Sequence, residues 1–484
     1  MLMTFPKARP SRQIVPATAL LIFLLFSCYL YLSPPRVIRG IQDNGPVAKR
    51  KFELFVTRLL DAPPANTTVY DEEGLAIVRI EDVNQDTERR DVATISVDDF
   101  SFSQASHMAV VKMLPEFQDV IQYTSGTRGI VTVGGGNYTS SILVALRMLR
   151  KRQCDLPMEV FIPSNEPYDA FLCDQVMAEL NAKCIHLPTF DSIDISAYQF
   201  KIFALIFSSF ENVLFLDSDN IPIIDPTELF SSKAYRSTGY VTWPDFWAST
   251  ASPIFYRLIG KDIPSLLAHA STESGEILIN RRKHARTLLL NAYYTIYGPH
   301  FYFPLLAQGS PGGGGDKETW VAAAQALDAS YYQVREMNKV ITKGDYLDMG
   351  DDIAMVQYDL NTDYAAERRS HAVCRNTPDA RAIFVHHSRI KLNPQYLQAE
   401  IEEKMNGTMR MWGDKQKTID RFGSDLEAEI WDEILIVACR YTRDDTEKET
   451  CAKLRKFWYG IVCEEELRMK LEKAQNEIQP LSPI

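Results

Sequence analysis

The chain has 484 residues, of which 46% are hydrophobic and 24% are charged, and its formal net charge is −11. This composition excludes a disordered or low-complexity protein, and an acidic chain without a basic stripe argues against a nucleic-acid partner. Because it contains a single long apolar run free of charge, a membrane protein with several spans is excluded as well.

The N-terminal region is dominated by that apolar run, residues 14–32. At a helical rise of about 1.5 Å per residue the run is roughly 28 Å long, close to the thickness of the hydrocarbon core of a bilayer. Its apolar part is long for a cleaved signal peptide. Basic residues precede it at Lys7, Arg9 and Arg12. We therefore predict a signal anchor, preceded by a cytosolic tail at 1–13.

The orientation of this anchor is indicated by sequons rather than by charge. Basic residues also follow the run, so the positive-inside rule orients it only weakly. Three N-glycosylation sequons lie C-terminal to it, at Asn66, Asn137 and Asn406. They favour a body in the lumen of the secretory pathway and hence a single-pass type II membrane protein.

Eight cysteines are present, and Cys28 falls within the anchor. None of the spacings resembles a Cys-x-x-Cys metal site. The remaining seven are an odd number, so we expect a few disulfides and at least one thiol that is free or pairs between chains. Spacing leaves the connectivity open.

Domain organisation follows from composition. Residues 33–104 are polar and proline-containing and are predicted to be a stem, in which 52–60 can form a helix docked on the body. Residues 105–400 form the predicted body. Residues 401–484 read as a helical C-terminal extension packed on it.

The body shows an alternation of helices and strands. We predict helices over 107–122, 141–152, 167–181 and 197–209, and strands over 130–133, 159–163, 184–187 and 213–216. This spacing is typical of an α/β fold with a mostly parallel sheet that is covered on both faces.

The strand predicted over 213–216 runs directly into Asp217-Ser218-Asp219. In open α/β sheets ligands bind at the carboxyl ends of strands, and two carboxylates with this spacing can reach one Mg²⁺ or Mn²⁺ ion. A divalent cation neutralises the charge that builds on a nucleotide diphosphate leaving group. The pattern thus favours a metal-dependent sugar transfer over a plain acidic turn.

Several segments, in this order, resemble a known family. They are 201–226 (KIFALIFSSFENVLFLDSDNIPIIDP), 242–247 (TWPDFW), 273–280 (ESGEILIN), 312–320 (GGGGDKETW), 384–387 (FVHH) and 391–394 (KLNP). Together they are similar to fungal Golgi α-mannosyltransferases of the mannan-branching type. The resemblance covers roughly 105–400.

This resemblance implies a GT-A-type, Rossmann-like catalytic domain that binds a nucleotide-sugar. It further implies a retaining mannosyltransferase of the Golgi membrane that uses GDP-mannose and Mn²⁺ and extends a mannan or N-glycan acceptor, most typically with α-1,2 linkages. Homo- or hetero-oligomers are left open.

The resemblance also implies roles for individual residues. Asp217 and Asp219 become metal ligands, and a late histidine, His386 or His387, completes the set. Because adjacent strand residues point to opposite faces, only one of the two can face the metal, and His386 is preferred. Lys201 and Lys391 would contact the nucleotide-sugar and its diphosphate, although Lys201 also reads as a lysine that snorkels from an apolar helix.

A glycine run, Gly134, Gly135 and Gly136, follows the first predicted strand. Glycines let backbone approach a nucleotide closely, but a plain tight turn explains them equally well. The run matches neither the G-x-G-x-x-G fingerprint nor a phosphate-binding P-loop.

Three acidic residues are candidates for catalysis: Asp245, Asp316 and Glu318. Asp245 lies between Trp243 and Trp247, which suits either a sugar subsite or an aromatic core. Asp316 and Glu318 follow a glycine tract that can act as a lid. Retention by double displacement requires a carboxylate on one face of the sugar, whereas a front-face mechanism requires none.

Two alternatives stay open. One keeps the fold but uses another nucleotide-sugar or forms an α-1,3 linkage. The other is a glycan-binding protein on an inactive transferase fold, and the complete Asp-x-Asp and histidine set argues against it.

Overall fold

A computed structural model of the chain describes residues 46–66, 69–70, 78–190, 192–308, 315–342, 352–367, 380–387, 389–405 and 410–477. The predicted anchor, Cys374 and the sequon at Asn406 lie outside these residues. Within the described part of the chain, no helix has both the length and the apolar character that a bilayer span requires.

The α-helices are α1 Pro46–Leu60, α2 Val97–Phe117, α3 Thr139–Lys151, α4 Phe200–Phe207, α5 Lys233–Thr238, α6 Pro253–Leu258, α7 Ala285–Ile296, α8 Phe303–Leu306, α9 Thr319–Ala326, α10 Leu360–Glu367, α11 Pro394–Met405, α12 Lys415–Phe422, α13 Leu426–Arg440 and α14 Asp445–Glu477. Short 3₁₀ helices are Ile80–Asp82, Gln118–Val120, Gly136–Tyr138, Ala197–Gln199 and Pro226–Ser231. Leu172–Met177 and Gly298–Tyr302 are π-helical.

The strands are β1 Val69–Tyr70, β2 Ala93–Thr94, β3 Thr124–Val133, β4 Met158–Ile162, β5 Ala182–His186, β6 Phe210–Leu216, β7 Asn220–Pro222, β8 Tyr240–Ala248, β9 Ala270–Asn280, β10 Tyr332–Gln333, β11 Lys339–Thr342, β12 Asp352–Tyr358 and β13 Ala382–His386. Beyond the β1–β2 pair, they form two sheets, one of seven strands and one of four.

The larger sheet has the order β10-β8-β9-β6-β3-β4-β5. Strands β6, β3, β4 and β5 run parallel, and β10 is parallel to β8. Only β9 breaks the pattern among these strands, because it is antiparallel to both β6 and β8. The prediction of a mixed α/β fold with a mostly parallel sheet is therefore confirmed.

The smaller sheet is antiparallel, with the order β11-β12-β13-β7. The sequence analysis did not predict it. Strand β7 follows β6 after three residues, so the chain passes from one sheet to the other through 217–219.

Both faces of the larger sheet are covered. Ile130 and Leu214 belong to an apolar cluster that includes α3 and the C-terminal helices. Val131 and Phe215 belong to a second cluster that includes α1, α2, α4 and α7. Because neighbouring strand residues point to opposite faces, β3 and β6 supply both clusters.

The N-terminal boundary of the body differs from the prediction. The compact unit begins at Arg50, and Phe52, Phe55 and Leu59 of α1 are buried in its core. Helix α2 begins at Val97, ten residues before the predicted start at 107. The helix expected over 52–60 to dock on the body is thus confirmed, and much of the remaining segment predicted as stem is packed as well.

The C-terminal helices share the core of the body. Ile430 and Ile434 of α13 lie in the same cluster as β3 and β6. Trp431 stacks on Trp458 of α14, with ring centroids 4.9 Å apart. The described disulfides are Cys173–Cys184 and Cys439–Cys451, and the free thiols are those of Cys154 and Cys463.

Candidate functional site

The site forms where the two sheets meet. Strand β6 ends at Leu216, and Asp217 and Asp219 occupy the link before β7. Strand β13 pairs with β7 in a register that sets His386 opposite Asn220. The histidine, distant in sequence, is thereby brought beside the Asp-x-Asp motif.

The candidate metal-binding set consists of Asp217, Asp219 and His386, whose ligand atoms all lie within 4.8 Å of one another. Nε2 of His386 lies 3.2 Å from Oδ1 of Asp219 and 4.0 Å from Oδ2 of Asp217. Two carboxylates and one imidazole are a donor set that suits a divalent ion such as Mn²⁺. The residues present therefore fit a divalent cation.

Each of the two aspartates also pairs with a lysine. Nζ of Lys201, on the buried helix α4, donates to Oδ2 of Asp217 at 2.8 Å and lies 3.9 Å from Asp316. Nζ of Lys391 donates to Oδ2 of Asp219. Lys201 is thus an ion-paired cation inside the site and not a snorkelling side chain.

The charges in this cluster set the protonation states. Burial alone would lower the pKa of His386, but Asp219 and Glu273 outweigh it and raise that pKa well above its usual range. Burial would raise the pKa of Asp219, but His386 and Lys391 outweigh it and hold it low. Burial raises the pKa of Asp217, against the opposing effect of Lys201. The opposite charges of His386, the two lysines and the carboxylates therefore shift one another's pKa values.

Strand β9 contributes acidic residues to which the sequence analysis assigned no role. Oε1 of Glu273 lies 3.5 Å from Nδ1 of His386 and accepts the backbone N–H of Gly275 at 2.7 Å. Glu276 is fully buried, and burial raises its pKa well above the usual range. Ligand atoms of Glu273, Glu276 and His386 also lie within 4.8 Å of one another. The segment 273–280 is one of those that resemble the family, but its pattern of apolar and polar residues did not indicate that it faces the candidate metal-binding set.

Hydrogen bonds to Gly275 and Glu276 of β9 hold the turn that carries the two aspartates. The carbonyl oxygen of Gly275 accepts the backbone N–H of Asp217 at 2.8 Å and the side-chain amide of Asn220 at 3.0 Å. The same amide donates to Oε2 of Glu276 at 2.5 Å. The position of the aspartates is therefore set by β9 as well as by β6.

His387 does not join the metal set, which corrects its inclusion among the predicted ligands. Its side chain is fully buried, and its ring stacks on Trp412 with centroids 5.6 Å apart. Burial lowers its pKa to about 3. Its backbone N–H donates to the carbonyl of Asp219 at 3.0 Å. Adjacent strand residues point to opposite faces, and His386 takes the face of the site.

The three predicted catalytic acids have different surroundings. Asp316 is in the site: it accepts from Ser274 Oγ at 3.3 Å and Trp320 Nε1 at 3.0 Å, and it lies beside Lys201. Asp245 pairs with Lys317 at 2.8 Å. Glu318 is buried and accepts the backbone N–H of Thr272 at 2.7 Å.

The tryptophans around Asp245 do not form the predicted sugar subsite together. Trp243 is fully buried and donates Nε1–H to the carbonyl of Tyr358, so it belongs to the core. Trp247 is half-buried, and the guanidinium of Arg79 lies 5.9 Å from its ring centroid. The aromatic-core interpretation thus holds for Trp243.

The glycine run lies at the carboxyl end of β3. Gly135 and Gly136 have φ angles of +137° and +49°, and a Cβ on Gly136 would lie 2.3 Å from Oε2 of Glu166. These positions therefore require glycine, whatever the ligand. Nδ2 of Asn393 donates to the carbonyl of Asn137 at 2.6 Å and joins this loop to the segment that carries Lys391.

A cavity of about 390 Å³ adjoins this loop. Gly136, Ser140, Tyr168 and Asn393 line one part of it. Residues at the end of α13 and the start of α14, including Arg443, line the other. The segment between and around the C-terminal helices α13 and α14 thus forms one wall of a cavity beside the glycine run.

Comparison with known proteins identifies the family. A family model described as putative mannosyltransferase matches residues 127–270 and 262–359. The alpha-1,2-mannosyltransferase MNN21 of Candida albicans is 33% identical over 421 residues, which are 72% of this chain and 62% of that protein. The alpha-1,2-mannosyltransferase MNN2 of Saccharomyces cerevisiae is 31% identical over 380 residues, 67% of this chain and 63% of that protein.

The chain belongs to this mannosyltransferase family. The resemblance found in the sequence is thus confirmed at the level of the family. The match to MNN22 of Candida albicans, 38% identical, is shorter and covers 47% of this chain and 46% of that protein. The chain therefore spans less than two thirds of the length of the curated relatives it matches.

Solved structures give a weaker likeness. The glycosyltransferase GlyE of Streptococcus pneumoniae matches with a TM-score of 0.29 and 16% identity, over 43% of this chain and 45% of that one. The galactosyltransferase LgtC matches with a TM-score of 0.29 and 15% identity, over 43% of this chain and 73% of that one. These scores are too low to support a statement about the fold.

Proposed function

We propose that the chain is a metal-dependent mannosyltransferase that moves mannose from GDP-mannose to a mannan or N-glycan acceptor and forms an α-1,2 linkage with retention. The names of the curated relatives support the sugar and the linkage. We further propose that the body has a GT-A-type fold and lies in the Golgi lumen behind the predicted anchor. The apolar run at 14–32 and the sequons support this location.

The observation that carries the proposal is the convergence of Asp217, Asp219 and His386, flanked by Lys201 and Lys391. A binding module has no need for two carboxylates, an imidazole and two lysines in one cluster. A group-transfer site for a nucleotide-sugar does, because its leaving group carries a diphosphate. A divalent cation held by the three ligands would neutralise that charge without any proton transfer.

The lysines have the charge and the position to bind the donor. Lys391 lies at the exposed side of the cluster, with 40% of its side chain accessible, so it can move from Asp219 to a phosphate oxygen. Lys201 is more enclosed and bound to Asp217 and Ser274, so it holds its place in the site. We assign Lys391 to the diphosphate and Lys201 to the region between the diphosphate and the transferred sugar.

The surroundings of the acids bear on how configuration is retained. Asp245 is neutralised by Lys317, and Glu318 is bound to β9 backbone, so neither is poised as a nucleophile. Asp316 lies in the site, but each of its oxygens accepts a hydrogen bond, from Ser274 and from Trp320. We assign Asp316 to holding Lys201 in place, which favours a front-face reaction over a covalent intermediate.

The test is an assay of the full chain purified in detergent. GDP-mannose, UDP-glucose and UDP-galactose are each offered with α-linked mannobiose, with and without Mn²⁺, and nucleotide diphosphate release is measured. NMR of the product reports the linkage and the anomeric configuration. We expect Mn²⁺-dependent GDP release and an α-1,2-linked product. Nucleotide diphosphate release from UDP-glucose or UDP-galactose would show that the proposed donor sugar is wrong. An α-1,3-linked product would show that the proposed linkage is wrong.

A further inference from the structure

We infer that Tyr198 is the residue on which the acceptor sugar stacks in the proposed transfer reaction. The inference rests on the proposed function and adds to it a binding residue that neither the sequence motifs nor the family match assigns. Tyr198 lies in the 3₁₀ turn Ala197–Gln199, directly before the helix that carries Lys201.

Tyr198 lies at the edge of the charged cluster. Its ring centroid is 5.9 Å from Nζ of Lys201, the atom that binds Asp217. Gly315 also lies near the ring, since a Cβ atom there would be 3.5 Å from Cδ2 of the tyrosine. Gly315 precedes Asp316, which also lies beside Lys201. The ring therefore lies beside two segments that build the site.

The ring of Tyr198 is far more exposed than the charged residues beside it. Tyr198 is 55% exposed, whereas Lys201, Asp219 and Asp316 are each less than 10% exposed. The exposed part of the ring is an aromatic surface that a ligand can reach beside the buried ionic cluster. Aromatic faces suit the C–H side of a pyranose ring, while the phenol group can bond to a sugar hydroxyl.

The backbone holds the tyrosine in this exposed place at a local cost. Ala197 adopts a φ of +46°, a conformation that residues with a Cβ atom rarely take. A capping box between Ser196 and Gln199 stabilises the turn, and Nε2 of Gln199 donates to the carbonyl of Thr295 at 2.8 Å. Strain of this kind, fixed by the surrounding structure, is common at binding sites.

The acceptor suits this position better than the donor does. The diphosphate of the donor must reach Asp217 and Asp219, so the donor sugar has to occupy the enclosed part of the site. An acceptor glycan continues beyond the reacting sugar and must extend into solvent. A half-exposed ring at the edge of the cluster can stack against such a sugar without blocking the remainder of the chain.

The experiment compares the full chain in detergent with Tyr198→Ala, Tyr198→Phe and Tyr459→Ala. Tyr459 is a matched control because it is also 55% exposed and lies on α14, in the C-terminal extension. We expect Tyr198→Ala to raise the KM for α-linked mannobiose about tenfold and to change the KM for GDP-mannose far less. Tyr198→Phe keeps the ring and should restore acceptor KM, and Tyr459→Ala should match the unmodified chain.

Each outcome bears on the inference separately from the proposed function. An unchanged acceptor KM in Tyr198→Ala overturns it, and so does an equal rise in both KM values, which would place the ring against the donor. If the unmodified chain transfers no mannose at all, the proposed function fails. Mannobiose binding, measured by saturation-transfer NMR, then still decides: loss of the signal in Tyr198→Ala supports stacking, and an unchanged signal refutes it.

Discussion

The imidazole ring of His386 packs directly against the backbone of Gly275: a Cβ atom on Gly275 would lie 2.6 Å from both Cε1 and Nδ1 of that ring. Real side chains do not approach so closely, and the ring is enclosed by Asp219 and Glu273. A glycine on β9 therefore limits where the candidate metal ligand on β13 can lie.

The first prediction follows from this contact. Gly275→Ala should displace the ring of His386 and lower the affinity for Mn²⁺ by about 10- to 100-fold, as loss of support for a metal ligand usually does. Calorimetric titration with Mn²⁺ measures it. Gly460→Ala is the control, since no atom lies within 4 Å of a Cβ there. Equal affinities in the two variants would mean that His386 does not bind the metal.

The two adjacent histidines should separate metal binding from stability. His386→Ala should weaken Mn²⁺ binding and slow transfer. His387→Ala should keep Mn²⁺ affinity but lose about 1–3 kcal/mol of stability, because a buried ring stacked on Trp412 is removed. Mn²⁺ titration and thermal melts of both variants provide the comparison. The assignment is wrong if the effects are exchanged.

Replacing either aspartate by asparagine should abolish transfer, but the two substitutions should differ in how much they lower the stability of the protein. Loss of a single oxyanion-hole donor costs roughly 10²–10³ in rate, and loss of the cation should cost at least that. Asp219 pairs with His386 and Lys391, and these partners lower its pKa, so its charge contributes to folding. Burial raises the pKa of Asp217, so its charge contributes less.

We therefore expect Asp219→Asn to lose about 1–2 kcal/mol, a value reduced for the partial exposure of Lys391, and Asp217→Asn to lose less. Denaturant unfolding without metal gives both values. A greater loss in Asp217→Asn would show that its pair with Lys201 dominates.

Stability should fall in mild acid because of a histidine far from the site. His107 is buried, its Nε2 lies 2.8 Å from the hydroxyl of Tyr294, and burial lowers its pKa from 6.5 to about 4. The unfolded chain takes up this proton first, so the contribution is complete above about pH 6.5 and is lost as the pH falls towards 4, by at most about 3 kcal/mol.

Melting temperatures of His107→Gln should therefore change less between about pH 7 and pH 4 than those of the unmodified chain. His186→Gln is the control, since His186 is exposed on the surface. A parallel decline in all three proteins would assign the acid sensitivity to other groups.

The C-terminal extension should prove to be part of the body. Trp431 is fully buried and belongs to the cluster that covers one face of the larger sheet. Trp431→Ala should cost about 3–5 kcal/mol in the free energy of unfolding. A single cooperative transition at lower denaturant concentration is expected. A second, separate transition would show instead that the extension unfolds by itself.

Local pattern was enough to predict the parallel part of the sheet. The β-branched and apolar runs at 130–133 and 213–216 lie inside β3 and β6, since buried parallel strands are apolar along their whole length. The antiparallel strand β9 was not predicted as a strand. Its segment mixes Glu273 and Glu276 with apolar residues, and a buried carboxylate interrupts the pattern by which strands are recognised.

The sequence by itself placed the Asp-x-Asp motif at a strand end, because the motif and the apolar strand before it are short-range features. The ordered motifs also indicated the family, and the resemblance to that family singled out Lys201 and Lys391. Only the tertiary structure decided that His386 and not His387 faces the aspartates, since this depends on the register of β13 against β7. It alone placed Glu273, Gly275 and Tyr198 around the cluster. Glu273 and Gly275 lie far in sequence from Tyr198 and from His386. Contacts between such distant segments are fixed by how sheets and helices pack together, which no local pattern records.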